Sequence, residues 1–455
     1  MFLKILKWFG VGLAGLFGLV ILAYGVLVAI NWSDEPPSET YLAFEAELEG
    51  LDSLDLLLDP ENAVPYSIGL SVARDENPRE VGEEWIRWTQ LPLSEQRQTE
   101  EPDPWSENAE PLPDVLNRFL SLCWRSIDSE CAAFLEESHE QFRPALAEVR
   151  KTARYERLLD YSVWREPVLR NVTTYPSYPV PIGSSRAHLH GLRAYDQARR
   201  GEFQEAINLL DKEARFSRFV LEESSNFLVK ATLAQSMEIN ILWANEVLRL
   251  ARAESDISVL TAWLEPLTRA ERSMRGAMAA DLALEYSIYK EFLETDDVQP
   301  SMRAFQVFLG PLLSIQGSVN LLAEMYNRVD KALDVPFREL PGAQERGYED
   351  LREKHRGIRL RNPVGHYLFR RWRSPGYSLS YGLRVADIEG ARRVLMLAQQ
   401  LRAEGVAPED VPARLQTADI RNPYTEAPFG WDAEAGEIIF EGLAPGDRNK
   451  FRLKY

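Results

Sequence analysis

Cysteine, histidine and signature catalytic motifs are scarce in this sequence. Its 455 residues hold two cysteines, Cys123 and Cys131, and five histidines. A tetrahedral zinc site needs four ligands at short spacings, and no histidine stands at ligand spacing beside either cysteine. His188 and His190 are two apart, on nearly opposite faces of a helix. That register suits neither a metal nor a general base with its orienting partner. HExxH, GxSxG, GxxxxGKS/T and GxGxxG are absent, which removes the zincin, nucleophile-elbow, phosphate-loop and dinucleotide classes as motif-based readings. Glu222-Glu223 and Asp296-Asp297 are adjacent carboxylates of the kind found on solvated faces. No catalytic, metal or cofactor-binding residue is therefore expected. A carboxylate-only hydrolase remains as an alternative, because paired acids leave no sequence motif.

Basic residues are missing from one stretch in particular. Residues 34–114 contain 22 Asp and Glu but only Arg74, Arg79, Arg87 and Arg97, a net of −18 that equals the charge of the whole chain. So acidic a chain is not expected to bind nucleic acid. An acidic collar beside a membrane is repelled by anionic headgroups, which predicts a body held off the bilayer.

What the sequence does have is one long uncharged apolar run, residues 8–30, without proline. As a helix it measures about 34 Å, enough to cross a hydrocarbon core of about 30 Å. Lys4 and Lys7 precede it, and Asp34 and Glu35 follow. The positive-inside rule then predicts a single-pass anchor with residues 1–7 in the cytoplasm and the bulk exported. A cleaved signal peptide, with Ala23-Tyr24-Gly25 as its site, is the alternative; the run continuing to Ile30 speaks against it. Gly10, Ala14 and Gly18 share one face at four-residue spacing, a register that would let a second span approach as a homodimer or membrane partner.

The rest divides by composition into an acidic membrane-proximal unit (31–93, starting in a Pro36-Pro37 exit linker), an acidic Pro-rich linker (94–114), a helical body (115–335) and a C-terminal module (336–455). Helical periodicity marks residues 41–49, 132–160, 224–254, 258–294, 302–333 and 385–404. In the stretch Leu282 to Leu293 apolar positions nearly encircle the helix, which predicts a central element. Cys123 and Cys131 flank a polar break between helical patterns, the arrangement of a disulfide-stapled helical corner in an oxidising compartment, with free buried thiols as the alternative. Gly201, Phe203 and Ala206 resemble the inter-helix corner of a tetratricopeptide repeat: Gly ends one helix, Phe packs into the corner, and Ala lets the helices cross closely. One such hairpin predicts a mainly α, irregular array of α-hairpins rather than a repeat solenoid.

Residues 350–384 carry a net charge of +7, with aromatics interleaved. Arg370, Arg371, Trp372 and Arg373 form the densest part, expected either to face a partner or to pair with the acidic segment. Residues 428–441 read as a β-hairpin that makes the C-terminal module α+β. NPVG (362–365), the Tyr377/Tyr381 pair, RVADIEGARR (384–393), NPYTEAPFGWD (422–432), ENAVPYSIGL (61–70) and the cysteine corner together resemble a family of single-span proteobacterial envelope proteins. That resemblance implies location, single-pass in the bacterial inner membrane with the bulk in the periplasm, and architecture, and carries over no activity. The expected function is a protein-binding scaffold or an assembly or quality-control factor of the envelope, whose partner is another envelope protein. A membrane-surface module is a further alternative.

Overall fold

With no charge to interrupt it, the N-terminal apolar run continues as one helix, α1 (Phe2–Ile30). In the computed structural model of the chain the described residues are 2–51, 53–72, 76–96, 98–102, 112–124, 127–170, 184–250, 260–294, 300–343, 359–372, 375–446 and 449–455. Trp8–Ile30 is the one helix among them that by itself is long and apolar enough to cross a membrane.

Short, well-capped helices come next. Ser38 caps α2 (Glu39–Glu45) by accepting from Tyr41 N. Asn62 and Asn77 do the same for α3 (Ala63–Ile68) and α4 (Pro78–Thr89), where Pro78 takes a first-turn position that needs no donor. α3 and α4 lie against each other because two glycines leave room. A Cβ on Gly69 would sit 1.9 Å from Pro78 O, and one on Gly82 would sit 1.7 Å from Pro65 O. α5 (Asp114–Cys123) and α6 (Ser129–Glu148) meet at the expected corner, where the sulfurs of Cys123 and Cys131 stand at disulfide distance. Asp128 caps α6 across that turn. The expected continuous helix over 132–160 breaks at Val149, which is extended, and resumes as α7 (Arg150–Leu158).

Three long helices, α8 (Ser184–Arg199), α9 (Phe203–Glu223) and α10 (Phe227–Leu250), pack mutually. α10 exposes a single residue, Arg249. The sequence pattern pointed instead to residues 282–293, which belong to α11 (Arg275–Glu294). Leu282 and Leu284 there are buried, but Tyr286, Ile288 and Tyr289 are only partly so. Polar residues disguise α10, and each finds a partner inside. Lys230 Nζ donates to Leu221 O, Asn240 Nδ2 to Leu210 O (3.0 Å) and Asn245 Nδ2 to Lys454 O (2.9 Å).

The expected helix over 302–333 is two: α12 (Pro300–Leu309), continued by a short turn at Gly310–Leu312, and α13 (Ile315–Leu333), bent 73° from it across the extended Leu313 and Ser314. Pro311 has no N–H to continue the ladder, and Ser314 recaps the chain by accepting from Gly317 N at 2.8 Å. α14 (Pro363–Trp372) leads to α15 (Pro375–Ala403), which stops two residues before Gly405 at φ +68°. After α16 (Val411–Thr417) come β1 (Gly430–Asp432), β2 (Glu437–Glu441) and β3 (Lys450–Lys454), antiparallel in that order. Ile438 faces Leu453 and Phe440 faces Phe451. The hairpin was legible; β3 was not, since only Phe451 and Leu453 carry its alternation. The fold class is thus mainly α with a small C-terminal α+β module. One apolar core runs through it from Tyr41 to Leu453.

Gly82→Ala is expected to lower unfolding stability by about 1–3 kcal/mol, the usual cost of overpacking. Denaturant melts of the two proteins would check it; equal midpoints would refute the close crossing of α3 and α4.

Candidate functional site

The chain leaves α1 through residues that bind rather than merely connect. Asn31 Nδ2 donates to Leu27 O at 2.7 Å and to Leu360 O at 2.9 Å, while its Oδ1 accepts from Asn362 N at 2.6 Å. Asn362, the first residue of NPVG, is buried and sits at φ +50°, a conformation Asn tolerates better than most side chains. Its Oδ1 accepts from Ser314 N (3.0 Å) and Gly365 N (3.1 Å), and its Nδ2 donates to Ser318 Oγ (3.1 Å). Asp34 then lays its carboxylate on the first turn of α13, accepting from Gln316 N at 3.0 Å and from Ser314 Oγ. An anion at a helix N-terminus satisfies orphan amides and complements the dipole. Residues 31–38, part of the exit linker expected over about 31–40, are therefore strapped along the body.

The strap ends on Asn320, which accepts from Ser38 N (2.9 Å) and donates to Pro36 O (3.0 Å). One amide thus holds both polar groups of an extended backbone. Beyond it opens a groove of about 580 Å³ lined by Glu35, Thr40, Leu321, Glu324, Asn327, Arg328, Lys331 and His366, among others. Asn320, Glu324, Asn327 and Lys331 succeed one another at steps of four, three and four, one stripe along α13. From Asn320 to Lys331 the stripe covers about 16 Å, the length of about five extended residues. Charges alternate along the groove: Arg361 pairs with Glu35 at 3.2 Å and Arg328 with Glu324 at 3.3 Å. Sequence reading missed this groove. The polar i, i+4, i+7 spacing of Asn320, Glu324 and Asn327 on α13 was its available signal, but it looks like any solvated helix face.

Two other polar clusters are sealed. A cavity of about 20 Å³, room for about one water, is lined by Glu166 and Asp281. Burial pushes the Glu166 carboxyl up, although it accepts from Trp164 Nε1, Ser224 Oγ, Ser225 N and Ser225 Oγ. Asp281 accepts from the Tyr326 hydroxyl. The space is far too small for a sugar, so this pair gives the carboxylate-hydrolase reading no site. In the second cluster Glu213 bridges His190 Nδ1 (2.6 Å) and Arg186 (2.8 Å), with all three side chains buried. Burial pushes the Glu213 carboxyl up, but Arg186 and His190 outweigh it and hold the group below its ordinary value. His190 thus has an orienting carboxylate, on α9 rather than on its own helix, and the cluster lies in the core. His188 donates from Nε2 to Trp124 O (3.2 Å) and accepts at Nδ1 from Trp243 Nε1 (3.4 Å), as its partners dictate. Burial pushes its pKa down to about 4, against a smaller upward pull from the Trp124 carbonyl.

The residues singled out by sequence scatter. Gly201 takes φ +85° between α8 and α9, with Phe203 partly buried and Ala206 fully buried, so the hairpin corner is formed. Gly10 and Gly18 have nothing within 4 Å of a would-be Cβ, and Ala14 is exposed, so that face of α1 is uncovered by the described residues. Arg370, Arg371 and Trp372 end α14, with their side chains outside the described residues, as is all of Arg373. Asp296-Asp297 and all of 350–358 also lie outside them. Of the resemblance motifs, RVADIEGARR and NPYTEAPFGWD meet each other: Asp387 accepts from the Tyr424 hydroxyl at 2.7 Å, fastening the β-module to α15. Among the described residues no group of three or more His, Cys, Asp or Glu side chains is placed to hold a metal. Comparison of the chain with protein-family models, with curated proteins and with solved structures finds no match.

Two outcomes follow. Glu213→Gln leaves the Arg186 charge buried without its counter-ion and is expected to cost about 3–5 kcal/mol; a chemical-denaturation midpoint unchanged from wild type would contradict the pairing. His188 binds its proton more weakly folded than unfolded, so the unfolded chain holds more protons between pH 6.5 and 4. Stability should therefore fall as pH drops through that window, by up to about 3 kcal/mol at about 1.4 kcal/mol per unit. His188→Phe should flatten this component, read as the difference between the two stability–pH curves.

Proposed function

We propose that the chain is a single-pass envelope protein, N-terminus in the cytoplasm and body in the periplasm, whose juxtamembrane groove holds an extended segment of a second envelope protein. Lys4 and Lys7 before the apolar helix, the acidic residues after it and a cysteine pair suited to an oxidising compartment support the location. The resemblance to single-span proteobacterial envelope proteins points the same way. The observation that carries the binding reading is Asn320. It already grips an extended backbone, the chain's own 36–38, through one donated and one accepted bond.

Seven residues further along the same stripe stands Asn327, which makes no side-chain hydrogen bond among the described residues and lines the open groove. A peptide continuing the line of the strap meets the same chemistry there: an amide for its backbone, Lys331 for an acidic side chain, and Glu324 and Arg328 as polar rims. Backbone contacts supply affinity and the flanking charges select the partner. This is the work of an assembly or quality-control factor, and the tetratricopeptide-like hairpin of α8 and α9 serves as its scaffold.

A photo-crosslinking side chain placed at Asn327 in the membrane-bound full-length protein should capture one discrete polypeptide. Lys331→Glu in the same protein should reduce that capture several-fold. Labelling equally strong from the exposed hairpin position Ala435, or none at Asn327, would remove the reading.

A further inference from the structure

Helix α12 is built inside out. Gln306 turns inward and donates from Nε2 to Phe292 O at 2.6 Å, and Phe305 packs edge-on against Phe292 with centroids 5.2 Å apart. Val307, Phe308 and Leu309 nonetheless remain exposed at its C-terminal end, Phe308 by 63%. In water that arrangement forfeits about 1.5–3 kcal/mol for each large apolar side chain left out of a core.

The neighbour of this face settles what surrounds it. Tyr24 Oη donates to Phe308 O at 2.9 Å. Tyr24, Leu27 and Val28 of α1 pack with Phe305 around a small apolar cluster of Leu312, Leu313, Val364 and Leu368, separate from the main core. Tyr24 precedes the end of the apolar run by six residues, about 9 Å along the helix axis. In a span of about 34 Å crossing a core of about 30 Å, that is below the leaflet surface. A carbonyl bonded to Tyr24 is at the same depth.

We infer that α12 and the turn after it are embedded in the body-side leaflet of the bilayer that α1 crosses, with Val307, Phe308 and Leu309 among the lipid acyl chains. The inference rests on α1 being a membrane span. Residues 300–313 carry one charge, the positive Arg303, in a chain whose net charge is −18, so this stretch escapes the repulsion that anionic headgroups exert on the acidic collar. Non-helical backbone at membrane depth is tolerated only where protein covers it. Leu312 and Leu313 are buried, Leu313 N bonds Gly310 O at 2.9 Å, and Ser314 N bonds Asn362. Trp32 lies just past the span, and Leu360 bonds Asn31 at the same level, so an exposed indole falls at the headgroups where Trp concentrates. The body therefore lies on the bilayer instead of being held off it.

The test uses the full-length protein with its disulfide intact, so that an environment-sensitive maleimide dye reports only an introduced thiol. Phe308→Cys is compared with Leu16→Cys in the span and Ala435→Cys at the β-hairpin tip. Neighbouring Gly436 is tied through Tyr455 to Val406, beyond the far end of α15. In liposomes the dye at 308 should lose most of its fluorescence to acyl-chain spin labels and little to aqueous iodide, with the reverse at 435. Iodide quenching at 308 while the dye at 16 is still quenched by lipid would overturn the inference and leave the span intact. Protection at 308 from both quenchers would mean a protein covers the face and would also overturn it. No lipid quenching at 16 would remove the span reading and the inference with it. Val307→Cys repeats the measurement where Phe308→Cys misfolds.

Discussion

The joint between Asn31, Asp34 and Asn362 is the constraint on which the arrangement of this protein depends. A long apolar helix attached through a loose linker would leave its body free to tumble. Here a buried amide at positive φ ties the end of α1 to the starts of both α13 and α14. Asp34 adds a carboxylate on the α13 amides, so the direction of α13 relative to α1 is set by several short bonds acting together. Rigid seating of the strap is also what leaves the groove beyond Asn320 open.

Away from the joint, the body is held by polar groups placed where the core needs them. Lys230, Asn240 and Asn245 lie on α10, and each caps or clamps a backbone carbonyl of a neighbour. Burial pushes the Lys230 pKa down to about 8 while Glu166 and the acidic residues beyond it pull it back up. Asp387 performs the same service for the β-module by gathering Tyr424 and the amides of Leu443 and Ala444. Such groups cost much when left unpaired, so they specify one packing among the many a helical array allows.

Much of the architecture was legible because its signals are local. Gly201 and Gly405 at positive φ end helices, and the cysteine pair marks its corner. The misreadings have local causes too. Val149 and Pro311 interrupt periodic patterns that an averaging window runs through, and α10 hides its central place behind polar residues whose partners lie far away in the chain. The basic strip drew attention because charge is visible in sequence, yet Arg361 spends its charge on Glu35. Asn320 and Asn327 carry no such flag.

By itself the sequence determined the apolar helix, the mainly helical class, the ends of several helices and the terminal hairpin, since each depends on residues within a few positions of one another. Tertiary structure alone decided the joint, the groove and the place of α12. Asn31 meets Asn362 across 331 residues, and Tyr24 meets Phe308 across 284. Contacts at that range leave no periodicity to read, because the chain between them is free to be anything that folds.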